Sequence, residues 1–202
     1  MARADDARPR TSALRPSALG LIVLAMLLEE PMHVYRMQKL IKDRGKDKVV
    51  NVRQRTSLHQ IIARLVDYGL VEQTDSAATA ENYPERRVYA ITADGRHAAV
   101  EWLSALITGL ADEFPRFPAA LSVLAMVTPE SAARLIAERS SAVDAERESQ
   151  RAQLTRATVD RIYLLEDEYR LRMLDAEAAW LADVCADIRN GTLDWTAPAA
   201  AE

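Results

Sequence analysis

"NVRQRTSLHQIIARLVDYGLVE", residues 51–72, gathers Arg53, Gln54, Arg55, Thr56, Ser57, His59 and Gln60 at its start. It turns apolar at Ile61, Ile62, Leu65 and Leu70. The pattern predicts a helix over about 55–68, stopped by Gly69, whose body docks on a core while its start projects polar groups. Such a start can reach base edges in the major groove: Arg on guanine, Gln on adenine, Ser or Thr on base or phosphate. Its free N–H groups attract phosphate as well. A solvated amphipathic helix has the same pattern, so the flanking sequence decides.

Upstream, residues 1–15 read as a flexible arm with four arginines and no periodicity. A helix follows from Ser17 to about Glu29, apolar almost all round, as a buried helix requires. Pro31 ends it and opens a second helix over about 32–44. Val34, Met37, Leu40 and Ile41 form its inner stripe, Arg36, Lys39 and Lys42 face out, and Gly45 stops it. "KVVNV", 48–52, predicts one brief strand. Downstream, "LVEQTD" and "RRVYAIT" flank a polar tip and predict a β-hairpin. Thr92 then caps a fourth helix over 93–113. Helix, helix, strand, helix and hairpin within a short span is the layout of a winged helix-turn-helix.

Charge follows the same division. The chain of 202 residues has a net charge of −4, but residues 1–100 hold 16 basic against 12 acidic side chains, and 101–202 hold 10 against 18. Within 31–70 the count is 9 to 3, and all four lysines lie between Lys39 and Lys48. A local basic field matters more to a phosphate backbone than an acidic total does.

"FPRFP", 114–118, breaks the chain, because each proline removes a backbone donor. A short helix over 119–127 follows. Thr128 and Pro129 then open a helical region without Gly or Pro up to Asn190, divided into helices over about 130–156 and 159–190. On the second, Ile162, Leu165, Tyr169, Met173, Ala176, Trp180, Val184 and Ile188 step by three and four. That stripe is a seam within the chain or between subunits. The expected domains are therefore 16–113, with the winged helix-turn-helix, and 119–190, helical, followed by a flexible tail over 191–202. The fold class is mainly α.

"LGLIVLAMLLEEPMHVYRMQKLI" (19–41), "RTSLHQIIARLVDYGLVE" (55–72) and "YPERRVYAITADGR" (83–96) together resemble the PadR family of bacterial transcriptional regulators. The spacing of Tyr89, Thr92 and Gly95 beside "GLVE" is the most specific element. The tail with "DAEAAWL" is similar to the longer-tailed branch. The resemblance implies a homodimeric repressor that binds a pseudo-palindromic operator in double-stranded DNA, dimerises through its tail helices, and is released by an effector, often an aromatic small molecule. This chain departs from the family at Val34, where glycine precedes the tyrosine, at His59, where tyrosine is usual, and at Thr56, a common glycine.

The candidate DNA contacts are the polar start of the third helix (Arg53 to Gln60), Arg64 on its flank, and Lys39 and Lys42 before it. Tyr83, Arg86 and Arg87 on the hairpin complete the set. Trp102, Phe114 and Phe117 are candidates to line an effector site, since flat apolar ligands favour aromatic walls. Ile162, Leu165, Tyr169, Met173, Trp180, Val184 and Ile188 are the candidate dimer contacts.

Other chemistries find little support. The three histidines are scattered and no Cys or carboxylate stands at metal spacing, and no cofactor is expected. No Gly-rich phosphate loop or nucleophile signature is present, so an enzyme is not expected. A single cysteine, Cys185, fits a reducing compartment. The longest apolar run, 18–28, is too short to span a bilayer, and the first fifteen residues lack the apolar core of a secretion signal, so a cytoplasmic protein is expected. The alternative reading is a winged-helix module for protein–protein contact with an oligomerising tail.

Overall fold

A computed structural model describes residues 14–50, 55–74, 87–110, 115–193 and 195. The chain divides into two compact units, Met1–Ala111 and Asp112–Glu202.

The first unit is built around α1 (Ala18–Glu29), whose buried Val23, Leu24, Met26 and Leu27 meet the surrounding elements. Ser17 starts the helix by accepting the Gly20 N–H on its hydroxyl at 3.0 Å. The core reaches into the end of the arm expected over 1–15, because Leu14 is buried within it. β1 (Met32–His33) leads into α2 (Val34–Asp43), which buries Val34, Met37 and Ile41. α3 (Arg55–Asp67), β2 (Val71–Thr74), β3 (Val88–Ile91) and α4 (Ala93–Thr108) complete the unit. The three strands pair antiparallel in the order β1-β3-β2.

Two expectations need correction here. The strand expected over 48–52 does not form in its described part. Gly45 takes a left-handed φ of 65°, a single 3₁₀ turn over Lys46–Lys48 follows, and Val50 N–H returns to Lys46 O at 3.0 Å. Both edges of β3 are already occupied, by Met32–His33 on one side and β2 on the other, so the valine run has no partner there. The fourth helix ends at Thr108 rather than 113, because Gly109 is extended (φ −79°, ψ 135°).

In the second unit α5 (Arg116–Leu121) begins earlier than expected and is followed by a 3₁₀ turn over Leu124–Met126. Pro118 is tolerated because it lies in the first turn, where backbone N–H groups have no helical acceptor. α6 (Pro129–Arg156) starts as the sequence predicts, with the Thr128 hydroxyl accepting the Ser131 N–H and proline at the first position. α7 (Leu165–Asn190) starts later than 159, after another 3₁₀ turn over Arg161–Tyr163. The Arg161 guanidinium grips the Glu168 carboxylate at 2.9 Å across that turn and holds it below the usual carboxylate range.

α6 and α7 form an antiparallel hairpin. Arg139 bonds Glu177, Arg147 bonds Asp175, and Gln150 bonds Asp167, so position rises on one helix as it falls on the other. Ile136, Val143 and Leu181 are its buried centre, with Phe117, Leu121 and Leu124 packed against it. Gly191 ends α7 at φ 67°. Beyond it, Trp195 Nε1–H donates to Val127 O at 2.9 Å, so the folded unit reaches past 190.

Candidate nucleic-acid interface

α3 divides its residues between two faces. Leu58, Ile61, Ile62 and Leu65 are buried. Thr56, His59, Gln60, Ala63, Arg64 and Asp67 are exposed, at the three- and four-residue steps of one helix face, with Ser57 half-buried at its margin. The polar groups therefore run along the outer face as far as Arg64, not only over the first turns. The side chains of Arg53, Gln54 and Arg55 lie outside the described residues, as do Tyr83, Arg86 and the hairpin tip.

The far end of α3 is fixed by two interlocking devices. Gly69 takes a left-handed φ of 68°, its N–H reaches Val66 O at 2.9 Å, and Leu70 N–H reaches Leu65 O at 2.9 Å. This is the glycine-stopped helix end that leaves few carbonyls unsatisfied. The Thr92 hydroxyl donates to Gly69 O at 2.7 Å and accepts the Gly95 N–H at 3.0 Å, capping α4 while tying it to the end of α3. A Cβ on Gly95 would stand 2.0 Å from Leu70 O, so only glycine permits that approach. The sequence shows the Tyr89, Thr92 and Gly95 spacing; the structure shows that it anchors the outward-facing helix to the wing and α4.

α2 carries Lys39 and Lys42 on its exposed face. Among the described residues neither makes an ion pair, whereas Arg36 binds Glu30, and Arg44 binds Glu29 with its second nitrogen at 2.7 Å. Arg44 holds the Glu29 carboxyl below its ordinary range. The unpaired charges at Lys39 and Lys42 remain available to an anion, and Arg87 is exposed at the entry to β3. Exposed α3, its basic predecessor and the β2–β3 wing make the first unit a winged helix-turn-helix.

Comparison with known proteins agrees with this class. Residues 23–101 match the model of the "Transcriptional regulator PadR-like family". That segment, and not the whole chain, is what resembles PadR-like transcriptional regulators. Among solved structures, Bacillus subtilis PadR in complex with operator DNA is 14% identical with a TM-score of 0.67, covering 85% of this chain and 99% of its own. The same protein in complex with p-coumaric acid is 14% identical with a TM-score of 0.65, covering 86% and 99%. A PadR-like transcriptional regulator from Bacillus cereus is 12% identical with a TM-score of 0.58, covering 86% and 99%. No curated protein sequence matches the chain.

The aromatic candidates separate. Trp102 is buried in the core of the first unit, against Gly20, where a Cβ would meet its ring at 2.7 Å. Phe117 lies in the second unit, half-buried, with Trp180 edge-on at 6.1 Å and the Arg139 guanidinium 3.5 Å above its ring. Phe114 lies outside the described residues. The stripe expected over 162–188 also separates: Ile162 in the 3₁₀ turn before α7, and Leu165, Tyr169, Met173 and Trp180 on α7, are exposed, while Val184 and Ile188 pack into the hairpin's own core. No group of His, Cys, Asp or Glu among the described residues could hold a metal, and no described helix is long and apolar enough to cross a membrane.

Proposed function

We propose that this chain is a dimeric repressor that binds a pseudo-palindromic operator and is released by a small aromatic molecule. The observation that carries the reading is the row Thr56, His59, Gln60 and Arg64, solvent-facing on α3 in a winged helix-turn-helix. Arg, Gln and Thr are side chains that discriminate base edges in a major groove. Arg53, Gln54 and Arg55 precede the row, and Ser57 flanks it. Lys39 and Lys42 on α2, with Tyr83, Arg86 and Arg87 on the wing, meet phosphates. The relative solved with operator DNA supports the same partner. The protein works where the DNA is, in the cytoplasm.

Dimerisation rests on the exposed large side chains of Ile162, Leu165, Tyr169, Met173 and Trp180. Contiguous apolar surface of this kind marks contact sites. Release by an aromatic effector is supported by the relative solved with p-coumaric acid. In this chain Phe117 and Trp180 supply flat apolar surface, with the Arg139 guanidinium over the Phe117 ring and held by Glu177. Trp102 would take part only if α1 and α4 opened.

A mobility-shift titration of duplex fragments captured by the purified chain, at two salt concentrations, tests the reading. The expected result is a specific shift whose affinity falls steeply with salt, since bound lysines and arginines displace counterions. No shift at low salt would contradict it and leave the protein–protein module as the reading to pursue.

A further inference from the structure

The described chain enters the first unit beside α3. Ser17 and Leu19, at the start of α1, line one groove with Ser57, Gln60 and Arg64 of α3. The two helices meet closely there, since a Cβ on Gly20 would lie 3.5 Å from Ile61 Cδ1. Leu14 is buried in the same core and pins the chain within about 10 Å of Ser17. Whatever precedes Leu14 therefore leaves the unit at the margin of the outer face of α3. Arg15, at that exit, is exposed. Among the described residues it makes no ion pair, whereas Arg36 and Arg44 are held by Glu30 and Glu29. The segment before it, "RPRTSA" (8–13), lies outside the described residues and carries two arginines and no acid.

We propose that this segment is a further DNA-binding element, with Arg8 and Arg10 entering the minor groove that flanks the major groove read by α3. The proposal rests on α3 being the reading helix. Reach allows it. The neighbouring minor groove lies about half a helical turn, ~17 Å, from the centre of the major groove. Arg10 and Arg8 are four and six residues from Leu14, a span of about 13 and 20 Å of extended chain. Local chemistry favours it as well. Pro9 biases Arg8 towards extended backbone, and in extended backbone residues two apart face the same way. Both guanidiniums then point together into a slot too narrow for a helix. Charge decides between the duplex and the chain's own surface. The charged residue lining the groove at the exit is Arg64, which repels two more arginines. A narrow A·T minor groove has enhanced negative potential and attracts them. The consequence is a preference for A·T pairs beside the sequence that α3 reads.

The test compares the full wild-type chain with the double variants Arg8→Ala, Arg10→Ala and Arg8→Lys, Arg10→Lys. Leu14 and the rest of the core are untouched, so both variants keep the fold. Two duplexes are titrated at several salt concentrations: one selected from a random library by the wild-type chain, and the same duplex with its flanks changed to G·C pairs. The alanine variant is expected to bind the selected duplex about tenfold or more weakly, the scale of a lost base-edge arginine. Its salt slope should fall by about one to two, and its discrimination between the two flanks should vanish. The lysine variant should keep the slope but bind the A·T-flanked duplex more weakly than wild type, because an ammonium holds its water more strongly than a guanidinium. Wild-type affinity and flank preference in the alanine variant overturn the proposal. An equal loss on both duplexes also overturns it and places the arginines on phosphates alone. Tighter binding by the alanine variant overturns it too, since the segment would then cover α3 rather than DNA. Absence of binding by wild type itself would instead overturn the reading of α3.

Discussion

Gln60 and Arg64 stand one turn apart on the outer face of α3, and each has a donor geometry suited to a different base. Replacing either Gln60 or Arg55 by alanine is expected to weaken operator binding by about 1–3 kcal/mol with altered base preference. Competition binding against single-base variants measures this, and two folded variants with wild-type affinity and preference would remove α3 from the role. Gly95 carries a different burden. A methyl group there would press on Leu70 O, so Gly95→Ala should cost about 3 kcal/mol or more of folding stability, in the range of severe backbone clashes. Urea unfolding reads it, and a loss under about 1 kcal/mol, the ordinary effect of a substitution, would show that the α3–α4 junction yields.

At the scale of elements, the wing and the tail hairpin make separable predictions. Arg86→Ala with Arg87→Ala is expected to weaken binding evenly across sequences and to flatten the salt slope by about one to two units. A sequence-dependent loss with the slope intact would instead make them base readers. In the hairpin, Gln150 is fully buried; its Nε2 donates to Asp167 Oδ1 at 2.7 Å, while its Oε1 has no partner among the described residues. Burying half a satisfied amide is costly, so Gln150→Leu should leave the melting temperature unchanged or raise it. A clear fall would mean that the amide's bonds to Asp167 outweigh its orphaned oxygen.

What the sequence revealed follows the same physical division. The ends of α3 and α6 were legible because Gly69 and the Thr128–Pro129 pair act through their own backbones. β1 was not, since two residues have no periodicity and Met32 is held by Tyr89, far along the chain. The seam on α7 was legible as a spacing. Its division into exposed residues and the core-packed Val184 and Ile188 depends on α6 and α5, which no spacing on α7 reports.

For the whole molecule, one reading helix per chain spans only a few base pairs, whereas two-fold dimers engage half-sites about one turn of DNA apart. The exposed apolar row on α7 supplies a surface for that pairing, and aromatic anchors dominate such contacts. The double variant Trp180→Ala with Met173→Ala should shift the chain towards monomer and abolish tight operator binding while circular dichroism stays helical. A dimer undiminished in this variant would move the interface elsewhere. The most direct measurement is light scattering of the wild-type chain mixed with a duplex that it has selected. Two chains on each duplex, and a dimer in its absence, are the expected result. A single chain bound tightly to a palindromic site would contradict it.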